Sequence, residues 1–459
     1  MSQQYPAAQV DEAREQPNPA LPGFNNRPRI VIIGGGFAGV AAAHSLRHAD
    51  VDVLLIDRRN HHIFQPLLYQ VATSILAPGD IAVPIRQLEA KQRNLSVLLA
   101  EVVGISLAER TVDASAQGVG VRKIAFDYLV VAAGMRTGYF GHDEFSRHAP
   151  GLKSLSDAET IRAKVLEAFE LAAATDDEVE RARQMTFVLV GAGPAGVELA
   201  GSLAHLVNVT LQGNFRRIDP AASRIILLDG AKRILPTFAE SLSRKVTKRL
   251  ESCGVKVMTN LPVDTVDDEG VVAGGNRIAS ATVLWTAGVT ASPITKLLGT
   301  KTDRAGRVLV DPLLRVADTV GVFVVGDAAS VMQDGRPVPG VAQAAIQEGR
   351  YVGQLIAREI EGRQVTRPFR YVDKGNMAVV GRNYAILERG LLRTSGFFTF
   401  LVWAFIHIVS LPQLQNRLRV QRQWLWSYFT GQRSSRLIPE RSAETVLARS
   451  SAEAAIAPR

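Results

Sequence analysis

An α/β fold with parallel sheets, extended by a C-terminal helical region, is predicted by three features of the 459-residue sequence. A pattern of apolar strand, glycine-rich turn, helix, second apolar strand and acid runs from Arg29 to Asp57. An altered copy of it runs from Thr186 to Asp229. Beyond Phe397 the composition changes to an apolar stretch followed by tryptophan and arginine.

In the first copy, Ile30 to Ile33 form a continuous apolar run, the pattern of a strand buried on both faces of a parallel sheet. Gly34, Gly36 and Gly39 follow at G-x-G-x-x-G spacing. The first allows a tight turn, the second lets backbone approach a pyrophosphate, and the third lets the helix pack close to the strand, so that phosphate meets the helix N-terminus. Val40, Ala41, Ala43 and Leu46 keep an apolar helical face. The strand Val51 to Ile56 then delivers Asp57 at the distance where an acid accepts hydrogen bonds from an adenosine ribose. A lone glycine motif is weak evidence, but strand, motif, helix, strand and acid in register describe a Rossmann-like dinucleotide-binding domain.

The length points to two or three domains. A content of 47% hydrophobic and 21% charged residues suits a globular α/β protein. The net charge of +9 favours an anionic partner: a phosphate-rich cofactor, nucleic acid or an acidic lipid surface. Cys253 is the one cysteine, so neither a disulfide nor a C-x-x-C redox pair forms within the chain. Residues 1–28 are rich in Gln, Pro, Ala and Asn with no signal-peptide core, and read as a disordered tail of a protein that stays in the cytoplasm. Residues 440–459 read as a second disordered tail.

After Asp57, the adjacent His61 and His62 invite a metal reading. With no third ligand nearby and neighbouring side chains diverging, no metal is expected, and structural or cofactor-positioning roles are favoured. Strands are expected at Leu95 to Val102, around Val121 to Ile124 and at Tyr128 to Ala132, a small antiparallel excursion resembling the flavin domains of two-dinucleotide flavoproteins. A helix-forming connection, Ser156 to Arg183, leads to the second copy: strand Thr186 to Val190, then Gly191, Gly193 and Gly196, then a helix. The strand Arg224 to Leu228 ends at Asp229, after an insertion at His205 to Ala221. An acid there prefers a ribose 2′-hydroxyl and so favours NADH, while Lys232 and Arg233 nearby speak for NADPH.

The chain crosses back to the first domain around Ala281 to Val289. The strand in GVFVVGDAA ends in Gly326 and Asp327, which resembles the aspartate that flavoproteins place against the ribityl and pyrophosphate of FAD. The helix that follows carries Gln343 and Gln347 on one face, and its N-terminus offers free N–H donors to anionic reduced flavin. FRYVDKGNMAVVGRNYAILE reads as strands with a turn. Phe397 to Val409 is apolar on nearly every face yet shorter than the ~20 residues that cross a bilayer. A second helix, Leu414 to Phe429, sets Leu414, Leu418, Leu425 and Phe429 on one side. With Arg417, Arg419, Arg422, Arg433 and Arg436 as a basic surface, it describes a segment lying in a membrane interface beside anionic headgroups. The competing reading is a helix buried in a homodimer.

Together these stretches resemble the type II NADH dehydrogenases, single-subunit, non-pumping NADH:quinone oxidoreductases. The likeness runs from about Arg29 to Pro439 and is carried by IVIIGGGFAGV, LIDRRNHHIFQPLLYQVAT, FVLVGAGPAGVELAG, LWTAGV, VFVVGDAA, AQAAIQEG and DKGNMAVVGR. It implies the two-dinucleotide flavoprotein fold, with a discontinuous FAD-binding domain at 29–150 and 286–370, an NADH-binding domain at 151–285 and a membrane-anchoring region at 371–439. Tightly but non-covalently bound FAD would be held by Gly34, Gly36, Gly39, Asp57, Gly326 and Asp327. NADH would be bound as substrate by Gly191, Gly193, Gly196 and Asp229. The likeness also implies that Glu198 lies where nicotinamide meets flavin, that Gln343 and Gln347 form the quinone site, and that Lys374 lies near the flavin's far edge. Asp229 stands where relatives usually carry glutamate, and LPQLQNR departs from a glycine-containing version.

The expected function is hydride transfer from NADH to FAD followed by two-electron transfer to a membrane quinone, by a peripheral protein on the cytoplasmic face of the cell membrane. Sulfide:quinone chemistry needs several cysteines. A soluble NAD(P)H-dependent reductase of a protein carrier leaves the apolar tail unexplained. A flavin-binding redox sensor acting on nucleic acid is disfavoured, because the arginines sit beside tryptophans and not in a groove-reading motif.

Overall fold

The computed structural model describes residues 27–364 and 366–438, so the two expected tails lie outside it except for residues 27 and 28. The first sheet begins with β1 (Arg29–Ile33), followed by α1 (Phe37–Ser45), β2 (Asp52–Asp57), a short α2 (Leu68–Ala72), β3 (Leu95–Leu99) and β4 (Tyr128–Val131). Then come α3 (Leu155–Ala174), β5 (Thr186–Val190), α4 (Pro194–His205), β6 (Arg224–Leu228), α5 (Glu240–Ser252), β7 (Val255–Met258) and β8 (Thr282–Trp285). The chain closes with β9 (Val322–Val324), α6 (Ala342–Ile360), β10 (Asn376–Val379), β11 (Ala385–Arg389), β12 (Leu392–Gly396), α7 (Phe397–Ser410) and α8 (Leu414–Thr430).

Two parallel sheets result. The first has strand order β9-β4-β1-β2-β3 and the second β7-β6-β5-β8. Both central strands are apolar runs buried on both faces, as parallel sheets covered by helices require. The second pattern is therefore a true structural copy of the first. An antiparallel ribbon of Met135–Thr137 with Val289–Ala291 lies where the chain passes between the sheets.

The glycines act as the spacing predicts. Gly34 has φ +108°, and a Cβ on Gly39 would come within 1.8 Å of the Gly34 carbonyl oxygen, so the helix sits directly on the turn. One contact had no sequence signal: a Cβ on Gly349 would lie 2.0 Å from the Ala38 carbonyl, so α6 presses onto α1. That contact brings the N-terminal end of α6 to the first glycine turn.

The antiparallel excursion holds three strands, Glu101–Ser106, Thr111–Ala116 and Gly120–Ala125. The expected strand Leu95 to Val102 splits, its first part joining the main sheet and its last opening this excursion. Near the C-terminus β10, β11 and β12 form an antiparallel sheet, with β12 beyond the stretch read as strands.

In α7 the apolar character divides. Trp403 and Thr399 are buried, whereas Phe398 is 81% and Phe405 69% exposed. On α8, Leu414, Leu418, Leu425 and Phe429 are exposed on the side predicted for them. No helix among the described residues is long and apolar enough to cross a membrane. Arg433 departs from the expected basic surface: it is buried and donates to the carbonyls of Thr73 at 2.5 Å and Ser202 at 3.0 Å. The chain turns inward after α8, and the Thr73 carbonyl at the end of α2 takes a donor that a headgroup-facing arginine could not supply.

Candidate functional site

A cleft of about 940 Å³ opens at the carboxyl ends of the first sheet, the position at which parallel α/β sheets bind nucleotides. Gly34, Gly36, Asp57, Gly326 and Asp327 line it, together with Ala342 at the start of α6. Gly39 lies under the turn as packing. Asp57 accepts the Gly35 N–H at 2.6 Å and the Arg59 N–H at 2.7 Å, which fixes its carboxylate at the distal end of the cleft. Nothing lies within 4 Å of a Cβ built on Gly36, and the N-terminus of α1 has no side-chain cap, so a pyrophosphate finds both room and free N–H donors there. The cradle fits a dinucleotide cofactor. His62 is buried with Nδ1 2.9 Å from the Gly35 carbonyl, and burial holds it in the neutral form, so its role is to support the turn.

Two charged residues of this cleft region carried no sequence signal. Lys153 lines the cleft; burial lowers the pKa of its ammonium, while Asp327 opposes the shift. Glu348 is buried and accepts the Gly326 N–H at 2.6 Å; burial pushes its carboxyl up to about 8. A glutamate in the middle of a helix reads as surface, and only the packing of α6 on α1 hides it.

The second glycine turn repeats this geometry. Gly191 has φ +103°, and Asp229 accepts the Ala192 N–H at 2.5 Å and the Ala231 N–H at 2.7 Å, as Asp57 does with Gly35 and Arg59. Gly193 is open in the way Gly36 is, and Gly196 packs against the turn. The insertion before Asp229 leaves the acid in register. Arg233, weighed as a 2′-phosphate ligand, is engaged elsewhere: its guanidinium donates to the carbonyls of Leu235, Pro236 and Phe238 and to Ser243 Oγ.

Glu198 lies in α4 just after the second turn. It is half-buried and accepts the Val379 N–H at 3.3 Å, and desolvation raises its carboxyl to about 8. Glu198 also lines a second cavity of about 100 Å³, open to the surface and walled by residues of α2, α4, β10, α7 and α8. Its walls include Trp403 and Trp424, stacked with centroids 5.2 Å apart. Trp424 donates to Gln70 Oε1 at 2.7 Å, and Gln70 Nε2 donates to the Tyr69 hydroxyl at 2.9 Å. Arg433 Nη2 donates to His205 Nδ1 at 2.9 Å; burial and then the arginine push this imidazole down to about 3, so it is neutral and accepts.

Gln343, Gln347 and Lys374 come together, but not as an open pair of amides. Gln343 donates to the Gly375 carbonyl and accepts the Lys374 N–H, both at 3.1 Å; Gln347 donates to the Val372 carbonyl and accepts its N–H, both at 3.0 Å. The Tyr371–Gly375 segment runs beside α6 without a sheet partner, and glutamines four residues apart serve its backbone groups. The ammonium-bearing side chain of Lys374 is exposed. Among the described residues no cluster of three or more His, Cys, Asp or Glu is arranged to hold a metal.

Paired nucleotide turns on two parallel sheets define the two-dinucleotide flavoprotein class, and residues 28–349 match the family model described as pyridine nucleotide-disulphide oxidoreductase. The chain is 44% identical over 411 residues to the type II NADH:quinone oxidoreductase NdhA of Mycobacterium tuberculosis, covering 87% of this chain and 86% of that one. It is 42% identical to Ndh of the same organism, with 91% of each covered. The structure of NDH2 from Plasmodium falciparum in complex with NADH superposes with a TM-score of 0.82 at 20% identity, covering 89% of this chain and 99% of that one, a likeness of fold. The chain belongs to the type II NADH:quinone oxidoreductase family. With membership come FAD as cofactor and NADH as electron donor, and the cradle above fits both.

Proposed function

We propose that this protein is a peripheral, non-proton-pumping membrane enzyme of the cytoplasmic face that passes reducing equivalents from NADH through FAD to a membrane quinone. The observation that carries the reading is the juxtaposition of the exposed apolar faces of α7 and α8 with the aromatic cavity that Glu198 lines. FAD, when bound, supplies hydride acceptance from NADH and two-electron release to the quinone. Residues 29–150 with 286–370 hold that cofactor, residues 151–285 hold NADH, and residues 371–439 meet the bilayer.

Within that division, Gly34, Gly36 and the N-terminus of α1 bind pyrophosphate and Asp57 binds the adenosine ribose. Asp327 and Lys153 set the charge at the opposite part of the cleft. Gly191, Gly193 and Asp229 do the same for NADH, with Arg233 unavailable to a 2′-phosphate. Gln343 and Gln347 position the Tyr371–Gly375 segment, and with it Lys374, beside the N-terminal end of α6. Glu198, held protonated below about 8 by burial, carries a proton at its carboxyl oxygens next to a cavity suited to an aromatic, carbonyl-bearing headgroup. Trp403 and Trp424 give it an aromatic wall.

The test is anaerobic reduction of the purified yellow protein by NADH, followed by a quinone. Rapid bleaching and then rapid reoxidation by the quinone are expected. Bleaching without quinone-driven reoxidation removes the quinone as acceptor.

A further inference from the structure

Two surface features outside α7 and α8 share one chemistry. The turn between β11 and β12 is Gly390–Leu391, with Arg389 paired to Leu392 across it. Gly390 has φ +57°, the arrangement of a two-residue hairpin turn with glycine first. This tight turn leaves Leu391 98% exposed and Leu392 55% exposed, flanked by the exposed Arg389 and Arg393. A leucine pair at a hairpin tip gains nothing in water, where tip positions are ordinarily polar.

The second feature is the outer face of α5. Leu242, Val246 and Leu250 pack inward, while Arg244, Lys245 and Lys248 are exposed. Glu240 pairs with Arg244; Lys245 and Lys248 form no ion pair among the described residues. This helix is tied to the hairpin: Lys245 Nζ donates to Ser395 Oγ at 3.3 Å, and Glu388 accepts the Ala239 N–H at 2.8 Å. Ser395 lies two residues before Phe397, where α7 begins its exposed apolar face.

We infer that the Gly390–Leu392 hairpin tip and the Lys245/Lys248 face of α5 form a second contact with an anionic lipid surface, continuous with that of α7, so that the footprint on the membrane reaches the second nucleotide unit. This rests on the membrane reading above. The leucines insert below the headgroups, Arg389 with Lys245 and Lys248 takes the lipid phosphates while Arg393 pairs with Glu388, and β12 leads from the tip directly into α7. Covalent continuity with α7 and charge complementarity favour a bilayer over a second copy of the chain as occupant. The consequence is mechanical: α5 packs on the second sheet, so the second nucleotide turn is held at a set height above the bilayer.

The test uses the full-length flavin-loaded protein with phosphatidylcholine vesicles and with vesicles containing phosphatidylglycerol. Leu391→Asp with Leu392→Asp is expected to weaken binding to both by about tenfold or more. Lys245→Glu with Lys248→Glu is expected to weaken binding by about tenfold on anionic vesicles alone, with a shallower salt dependence. Flavin reduction by NADH in solution, retained in both, reports that the fold is intact. If both variants bind as wild type does while Phe398→Asp with Phe405→Asp abolishes binding, the inference is overturned and the membrane reading stands. If the wild type binds neither vesicle, both fall. A leucine variant that binds vesicles normally but loses self-association in sedimentation assigns the tip to a second copy and overturns the inference.

Discussion

Glu198, in a helix of the second nucleotide unit, accepts the backbone N–H of Val379 from the C-terminal sheet at 3.3 Å. With the Ala239 N–H to Glu388 and Lys245 to Ser395 bonds, it joins the second nucleotide unit to the sheet that leads into the exposed apolar helices. It is too little to hold the carboxylate form: burial raises the group from 4.5 to about 8.

The pH dependence follows from the sign of that shift. Glu198 and Glu348 both move from 4.5 to about 8 in the folded state, so the native protein binds more protons than the unfolded chain between those values. Their contribution to stability is fully present below 4.5 and is lost as pH rises through about 8. Melting temperature should fall across that window, and Glu198→Gln should flatten the fall. In turnover, quinone reduction by the wild type should decline as pH passes about 8, and the same substitution should remove that limb.

Glutamines that serve a backbone segment make a different prediction from glutamines that face solvent. Gln347→Ala should raise hydrogen exchange at the Val372 amide and slow reoxidation by quinone by about tenfold, while flavin reduction by NADH changes little. Stopped-flow kinetics in which the NADH half-reaction is the slower one overturn that assignment.

Arg433 is a buried cation whose nearest partners are two carbonyls and a neutral imidazole. Arg433→Met leaves the Thr73 carbonyl and His205 Nδ1 without this donor and should destabilise the protein by about 2–4 kcal/mol. Thermal denaturation measures this. Release of the segment after α8 should also raise KM for quinone, since Arg433 lines the cavity with Glu198.

In the proposed NADH site Asp229 would set the nicotinamide preference, with Lys232 exposed three residues on. The wild type should favour NADH over NADPH by about tenfold or more in kcat/KM, and Asp229→Asn should narrow that ratio. Arg233→Ala should leave the ratio unchanged and lower stability, because its guanidinium braces the turn from Leu235 to Ser243.

Much of the nucleotide-binding architecture was legible in the sequence because its determinants are local. Glycine spacing, apolar strands and a following acid act within some thirty residues of chain in the first copy, and the second survived its insertion because the strand before Asp229 kept its pattern. The site's chemistry was less legible. Gln343 and Gln347 were recognised as a pair on one helix face, but their partners lie on a segment some thirty residues away. Arg433 read as one more surface arginine. Glu348 and Lys153 carry no signal, and neither does the Leu391 tip.

By itself the sequence determined the two parallel-sheet nucleotide turns, the aspartates at their ends and the one-sided apolar face of α8, since each depends on backbone geometry and short-range periodicity. Only the tertiary structure decided which charged groups are buried and what they touch. Glu198 meets Val379, Trp424 meets Gln70 and Arg433 meets Thr73 across 181, 354 and 360 residues of chain. Desolvation, and with it protonation state, is a property of what packs over a group, which residue spacing along the chain does not contain.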